Sequence, residues 1–376
     1  MSAALTIDGS VLEGGGQILR NSIALAALLS KPVTIERIRA SRKPPGLKAQ
    51  HAAGLRLAAE ISSAHLDGCT LNSESIHFRP DVIDVTKPYL ADPGTAGSIT
   101  LLLQIALPCL LYSPTPAKSD LLLRGGTNAS NAPQIDYTEH VFLPFLRRRF
   151  GLNPTLDVRK RGYFPKGGGE VHFSMPATQG PLPAVTLLER GPITSVKGKA
   201  YVAGLPKSLA EKMREAAISS LTAFEGIDSE LVQVDITAVR EKPENAVGSG
   251  SGIVLWAESA NGCVIGGSAL GSKGKDPAKV GNAAADELIR NLTHGGCVDE
   301  YLQDQIIIFL ALAEGKSVVK SGPLTLHTKT AIWVAEQLTD AKFEIQEDEA
   351  SNTATITCIG IGYTSSSVQR TETNSA

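Results

Sequence analysis

Cysteine is sparse and unpaired in this chain of 376 residues: Cys69, Cys109, Cys263, Cys297 and Cys358 are scattered, odd in number and include no CxxC pair. This argues against both a disulfide framework and a structural zinc site. Neither sign of charge dominates, with 36 Lys and Arg against 38 Asp and Glu. A net charge of −2 leaves no global positive field to hold long duplex nucleic acid nonspecifically. No long hydrophobic run occurs either. The most apolar stretch, Leu101 to Tyr112, is broken by Gln104 and Pro108 and falls short of the roughly 20 residues a membrane span needs. The beginning of the chain lacks a basic-then-apolar leader pattern. A reducing compartment, cytoplasm or nucleus, is therefore expected. Aromatics make up only 5%, against 36 glycines and 21 prolines without a collagen-like period. That balance points to many tight turns and to places where bare backbone approaches a ligand.

What is present divides into rounds. Length predicts two or three folding units, and hydrophobic periodicity predicts β-α-β-α-β-β over residues 5 to 78, with helices at Glu13 to Leu29 and Gly46 to Ile61. A similar order recurs from Ala96 to Ser174. A third round is expected from Lys279 to Thr293 onward, through Thr328 to Leu338 and closing strands up to Ile359, with an extra helix at Val298 to Ala313. Residues from about 185 to 276 break the pattern and are read as an inserted small α/β domain. The expectation is an α/β chain with a large discontinuous domain, 1–184 and 277–362, an insert at 185–276, and a disordered tail at 363–376.

Four segments invite chemistry. Glu13-Gly14-Gly15-Gly16-Gln17 opens a helix with three glycines, so unshielded N–H groups and the positive helix end form an anion site, with Arg20 a turn further on. The spacing is neither GxxxxGK[ST] nor GxGxxG, and no GxSxG occurs. Arg39 and Arg42, in a loop turning at Pro44 and Pro45, can converge on one phosphate, with Gln50 and His51 on the following helix. Tyr301, Asp304 and Gln305 share a helix face and offer a ring, an acceptor and an amide suited to a nucleoside. His327 stands at the start of an apolar-periodic helix that Thr328 or Thr330 could cap. There a neutral imidazole can meet a phosphate and attack it. Each feature also has a plainer reading, as a turn, a solvated loop or face, or a cap.

Together these segments resemble the RNA 3'-terminal phosphate cyclase family. The matching stretches are Glu13 to Arg20, Ile38 to Arg42 with Pro45 to Leu47 and Gln50-His51, Gly125 to Asn128 leading to Ala132-Pro133, Gly162 to Gly169, Val298 to Gln305, and His327 to Ile332. They run in family order to about residue 362.

The resemblance implies an ATP-dependent ligase-type enzyme that converts an RNA 3'-phosphate to a 2',3'-cyclic phosphate. His327 would be the nucleophile that carries AMP before it passes to the RNA end. Gln104, Pro133, Tyr301, Asp304 and Gln305 match adenylate-contacting positions. Arg20, Arg39, Arg42 and His51 match positions near the RNA terminal phosphate, and Glu13 is the carboxylate nearest Mg²⁺ or another divalent cation. The glycines of residues 14–16, 125–126 and 167–169 fall at matched segments, where bare backbone could border phosphates. The fold implied is three β-α-β-α-β-β units plus an inserted α/β domain. ATP and RNA 3'-phosphate ends are the partners implied, no membrane is, and protein partners are left open. Resemblance to eukaryotic members points to the nucleoplasm, with the cytoplasm as the alternative. The rival reading is a non-catalytic cyclase-like protein of ribosome biogenesis, a branch that lacks the histidine. A more distant rival is an enolpyruvyl-transferase-like enzyme.

Overall fold

The computed structural model describes residues 4–113, 116–228 and 231–365. Strand β1 (Leu5–Asp8) lies parallel to β2 (Val33–Glu36), joined through helix α1 (Gly16–Leu28); α2 (Ala49–Ile61) then leads to β3 (His65–Asp67) and β4 (Ile76–Arg79). The sheet order is β1-β2-β4-β3, with the β2–β4 and β3–β4 pairs antiparallel.

The next stretch repeats the plan. Strand β5 (Pro88–Ala91), α3 (Ile99–Leu110) and β6 (Lys118–Gly125) are followed by α4 (Ile135–Tyr137), a π-helical turn at Thr138–Phe142, and α5 (Leu143–Phe150). Strands β7 (Thr155–Gly162) and β8 (Gly169–Pro176) close it in the order β5-β6-β8-β7, again with one parallel pair and two antiparallel ones, and a short strand from later in the chain, Ala246–Val247, adds parallel to β7 as a fifth.

Strand β9 (Thr186–Leu187) begins a third sheet, but the chain first departs through β10 (Ile193–Ala203), α6 (Lys207–Thr222), β11 (Gln233–Arg240), β12 (Ala246–Val247), β13 (Gly250–Ser259), β14 (Val264–Leu270) and α7 (Pro277–Thr293). It returns through α8 (Leu302–Gln305), α9 (Ile307–Leu312), β15 (Glu314–Ser321), α10 (Leu326–Leu338), β16 (Lys342–Asp348) and β17 (Thr353–Ile361). The third sheet reads β9-β15-β17-β16, with β9 parallel to β15.

The architecture is α/β. Helix α7, expected to open the third round, belongs elsewhere: its stripe of Val280, Ala284, Leu288 and Leu292 packs with Met213, Ala217 and Leu221 of α6 on the sheet β11-β10-β13-β14. The tail also stays packed further than expected. Tyr363 stacks edge-on to Tyr112 at 4.7 Å and donates to the Leu28 carbonyl at 2.6 Å, and Ser365 is buried. The rest of the expected tail, residues 366–376, lies outside the described residues.

Helices α1 and α3 bury 10 of 13 and 10 of 12 residues respectively, as helices apolar nearly all round must. Helix α1 packs against both α3 and α10, so one helix from each sheet's unit meets at a common centre. The middle segment is keyed to the second sheet by charge. Arg161 on β7 makes a two-pronged contact with Asp136 on α4, at 2.5 and 2.7 Å, while its Nε reaches Glu241 at 3.0 Å and Lys199 of β10 lies 3.6 Å from Asp136. Next to it, Tyr163 stacks on Tyr201 of β10 at 6.1 Å. Removing one partner of such a pair strands the other charge in the interior, at a cost of roughly 3–5 kcal/mol. Asp136→Ala should therefore lower the urea midpoint by the equivalent of at least about 3 kcal/mol with m unchanged. A loss under about 1 kcal/mol would show that the network is not structural.

Candidate active site

The N-termini of α1 and α10 meet at a single amide. Gln17, the second residue of α1 and 3% exposed, accepts at Oε1 from Nδ1 of His327 at 2.9 Å and donates through Nε2 to Oδ2 of Asp304 at 2.5 Å. An amide oxygen can only accept, so Nδ1 of His327 carries the proton and Nε2 keeps its lone pair. His327 is the second residue of α10 and faces open space. Its cap is Thr325, whose hydroxyl accepts from the Thr328 amide at 3.1 Å. Thr328 and Thr330, the caps expected from sequence, point inward instead. Thr328 donates to Gln303 at 2.5 Å, and Thr330 donates to the Leu326 carbonyl while accepting the Glu13 amide at 3.2 Å.

Loss of hydration keeps the His327 imidazole below its ordinary pKa, and Arg20 and Arg42 act the same way against the opposing pull of Glu13. The ring is thus neutral at pH 7, as a nitrogen nucleophile must be. Loss of hydration also raises Asp304 to about 7, although Arg20 nearby favours its charge. Arg20 itself donates from Nε to Oε1 of Gln104 on α3 at 3.1 Å.

His327 lies where two clefts join. The smaller, about 450 Å³, is lined by Gln104, Pro133, Tyr301, Asp304 and Gln305, all five of the positions matched to adenylate contacts, together with Arg20 and the Ser268–Leu270 edge of β14. The larger, about 970 Å³, is lined by Glu13, Arg39, Arg42 and His51, with Gly15 and Gly16 as bare floor. Ser130 and Asn131 border both. At Gly16 a Cβ would stand 2.6 Å from Nε2 of His51 and 3.0 Å from an Arg20 nitrogen, so glycine keeps the mouth of α1 open.

The expected roles are only partly mirrored by contacts. Arg39 and Arg42 both line the larger cleft, each with a protein partner of its own. Arg39, 7% exposed, is tied by NH1 to the carbonyls of Pro44 and Gly46 at 3.2 and 2.8 Å, whereas Arg42 pairs with Oε1 of Glu13 at 2.8 Å. Arg20 lines the smaller cleft, with one of its nitrogens 3.0 Å from where a Gly16 Cβ would stand. Burial, reinforced by Arg20, Arg39 and Lys48, drives His51 down to about 3. Its Nδ1 accepts the Lys48 amide at 3.1 Å, so this neutral ring presents Nε2–H as a donor. Gln305 turns its amide back onto the Tyr301 carbonyl, and the Tyr301 hydroxyl donates to Glu287. The glycines at 125, 167 and 169 serve backbone packing rather than an open floor: a Cβ at Gly125 would meet the Gly97 carbonyl at 2.3 Å, one at Gly167 the Thr95 carbonyl at 2.5 Å, and one at Gly169 the Gly162 nitrogen at 2.7 Å.

Gln17 and Asp299 both fall within matched stretches, yet sequence reasoning assigns neither of them a role. Asp299 is fully buried; its Oδ1 takes the amides of Tyr301 and Leu302 and the Tyr137 hydroxyl at 2.6 Å, and its Oδ2 takes the Gly266 amide at 2.7 Å. It fixes the start of α8 to β14. An Asp three residues before a helical amide is the signal that would have found it.

Glu13 is a residue that could hold a divalent ion. Its Oε2 is enclosed with no hydrogen-bond partner, while Oε1 is taken by Arg42. Among the described residues no group of three or more His, Cys, Asp or Glu forms a complete cage. Such an ion would therefore share its shell with substrate oxygens and water, as Mg²⁺ commonly does.

Histidine-selective nitrogen NMR checks the electrostatics. His327 is expected to carry its proton on Nδ1 and to titrate below pH 6.5, and His51 to carry its own on Nε2 and stay neutral to about pH 3. Gln17→Glu should raise the His327 midpoint, because a carboxylate beside Nδ1–H favours the imidazolium. A wild-type His327 midpoint above 6.5, or the opposite tautomer, would contradict this geometry.

Comparison with known proteins bears directly on these residues. The family model described as RNA 3'-terminal phosphate cyclase matches residues 11–345, which contain every residue named at the two clefts. A probable RNA 3'-terminal phosphate cyclase of Dictyostelium discoideum is 40% identical over 95% of this chain and 83% of its own. The proteins of that name from Pyrobaculum neutrophilum and Drosophila melanogaster are 40% and 39% identical, each over 96% of this chain and over 99% and 97% of theirs. Among solved structures, the enolpyruvyl transferase NikO from Streptomyces tendae aligns with a TM-score of 0.39 at 12% identity, over 96% of this chain and 49% of that one, too slight a likeness to bear on function. With a match that spans the glycine-rich start of α1, both arginines, the Asp304 helix and His327, the chain belongs to the RNA 3'-terminal phosphate cyclase family.

Proposed function

We propose that this chain converts an RNA 3'-terminal phosphate to a 2',3'-cyclic phosphate, driven by ATP, through a histidine–AMP intermediate. The observation that carries the reading is His327, neutral and with Nε2 free, at the junction of a cleft suited to a nucleotide and a cleft lined by arginines. In the first step Nε2 attacks the α-phosphorus of ATP, the bond to the bridging oxygen breaks, and pyrophosphate leaves. Gln17 accepts the Nδ1–H as positive charge develops on the ring, and the helix α10 N-terminus favours the anionic phosphorus centre. In the second step an oxygen of the RNA 3'-phosphate takes the AMP and the phosphorus–nitrogen bond breaks, restoring His327. In the third, the 2'-hydroxyl attacks the activated RNA phosphorus, loses its proton and expels AMP.

Arg42 and the Nε2–H of His51 are the donors for the RNA phosphate on the larger side, and Arg20, which lines the smaller cleft, can meet phosphate from there. Mg²⁺ held by Glu13 would offset charge on the triphosphate. A chain with no net positive charge suits a substrate recognised by its end, where a few phosphate contacts and a 2'-hydroxyl suffice.

Incubation with ATP labelled at the α-phosphate should leave acid-labile, alkali-stable label on the protein, absent in His327→Ala; unlabelled protein, or undiminished label in that variant, refutes the nucleophile. Arg42→Ala should spare self-adenylylation and slow cyclisation by about 10- to 100-fold, the range of one lost charge-assisted hydrogen bond. Equal loss of both steps would place Arg42 in the wrong cleft. RNA binding should weaken only gently with salt, and a log–log slope equivalent to about eight or more phosphates would contradict recognition of the end alone.

A further inference from the structure

The larger cleft has a wall for which the chemistry above has no use. Between β7 and β8 the hairpin turns through Phe164-Pro165-Lys166, and Phe164, 81% exposed, lines the same cleft as Glu13, Arg42, His51 and His327. It is by exposure one of the two most exposed large apolar side chains of the described residues, beside Leu231 at 82%, and it stands in the cleft instead of on an outer surface. Removal of a phenylalanine from water is worth about 1.5–3 kcal/mol, so this ring is available to stabilise whatever enters.

The hairpin that carries it is rigid. The Gly167 amide donates to the Tyr163 carbonyl at 2.8 Å, closing the turn. Tyr163 is buried against Tyr201, and Arg161 is locked to Asp136 and Glu241. Gly167 lies against the Thr95 backbone and has a φ of +65°, where a side chain would be both strained and obstructed. The tip is therefore held in place by its roots while the Phe164 ring and Lys166 stay solvent-exposed. Arg42, Lys43 and Lys48 are exposed on the facing loop and line the same cleft. An aromatic face flanked by cations is the combination that holds single-stranded nucleic acid, with bases on the ring and phosphates on the charges.

We propose that Phe164 is a stacking platform for a base of the last two nucleotides of the RNA, making the enzyme a reader of an unpaired 3' end and not of the phosphate alone. This deepens the cyclase reading and rests on it. A stacked base contributes about 1–3 kcal/mol, so its loss should weaken RNA binding by roughly 5- to 150-fold. The partner is a single strand because a base within a duplex has no free face to offer the ring.

The test uses the full chain, ATP, and three short oligoribonucleotides ending in a 3'-phosphate: one intact, one abasic at the last ribose and one abasic at the penultimate ribose. The unaltered chain should cyclise the intact oligonucleotide with a KM at least about fivefold below that of one of the abasic substrates. In Phe164→Ala that preference should disappear, the KM for the intact substrate rising to the abasic value, while Phe164→Trp retains it. A merely structural role for Phe164 would raise all three KM values together and leave their ratio intact, and that result overturns the proposal. Equal KM values for all three substrates in the unaltered chain overturn it as well, with the cyclase reading still standing. Absence of any cyclisation by the unaltered chain overturns the cyclase reading and the platform together.

Discussion

Everything chemical in this molecule hangs on the amide of Gln17. Its two ends are chemically different, and each is assigned by its partner: the nitrogen faces Asp304, the oxygen faces His327. That assignment sets the histidine tautomer, and the tautomer decides which ring nitrogen can form a bond. The amide is held in turn by its place at the start of α1, where Gly15 and Gly16 remove the side chains that would fill the space, and by the packing of α1 against α3 and α10. The three sheets can be seen as the means by which three helices, one from each, are packed together so that α1 and α10 meet at their starts.

Low dielectric explains why the site keeps its neutral groups neutral. His51 and His327 both lie below the ordinary imidazole range because loss of hydration penalises their charge and the arginines around them repel it. The fixed positive charge thus comes from Arg20, Arg39 and Arg42, while the two neutral rings are left for the roles of donor and nucleophile in the proposed reaction. Arg39 illustrates the division of labour among like residues: its guanidinium is used to hold the loop that presents Arg42, a task visible only from the carbonyls of Pro44 and Gly46.

Much of this was legible in the sequence where periodicity is long and strong. Helices α1, α2, α3 and α10 and the α/β character follow from apolar spacing; the five residues matched to adenylate line one cleft and Arg39, Arg42 and His51 the other, while Arg20, grouped with the latter by sequence, lines the first. Short elements escaped: β5 and β9, of four and two residues, gain their strand character from neighbours, β6 and β15, that lie far along the chain. Helix α7 was misplaced because amphipathic spacing reveals a buried stripe but not what buries it. Several threonines close together leave the start of α10 ambiguous until hydrogen bonds are known, so sequence points to Thr328 and Thr330 where Thr325 is the cap. The glycines illustrate the same limit. A glycine that opens a phosphate site and one that lets two strands touch have the same letter, and among the matched runs only Gly15 and Gly16 have functional side chains where a Cβ would be, Glu13 at the first and His51 and Arg20 at the second.

The arrangement of Gln17, Asp304 and His327 is tested most directly by locating the bond that forms on the protein. The chain labelled with ¹⁵N in its histidine rings, incubated with ATP, should show a phosphorus–nitrogen coupling at Nε2 of His327 and a retained proton on its Nδ1. Attachment of AMP to Nδ1, or to any other side chain, would contradict it.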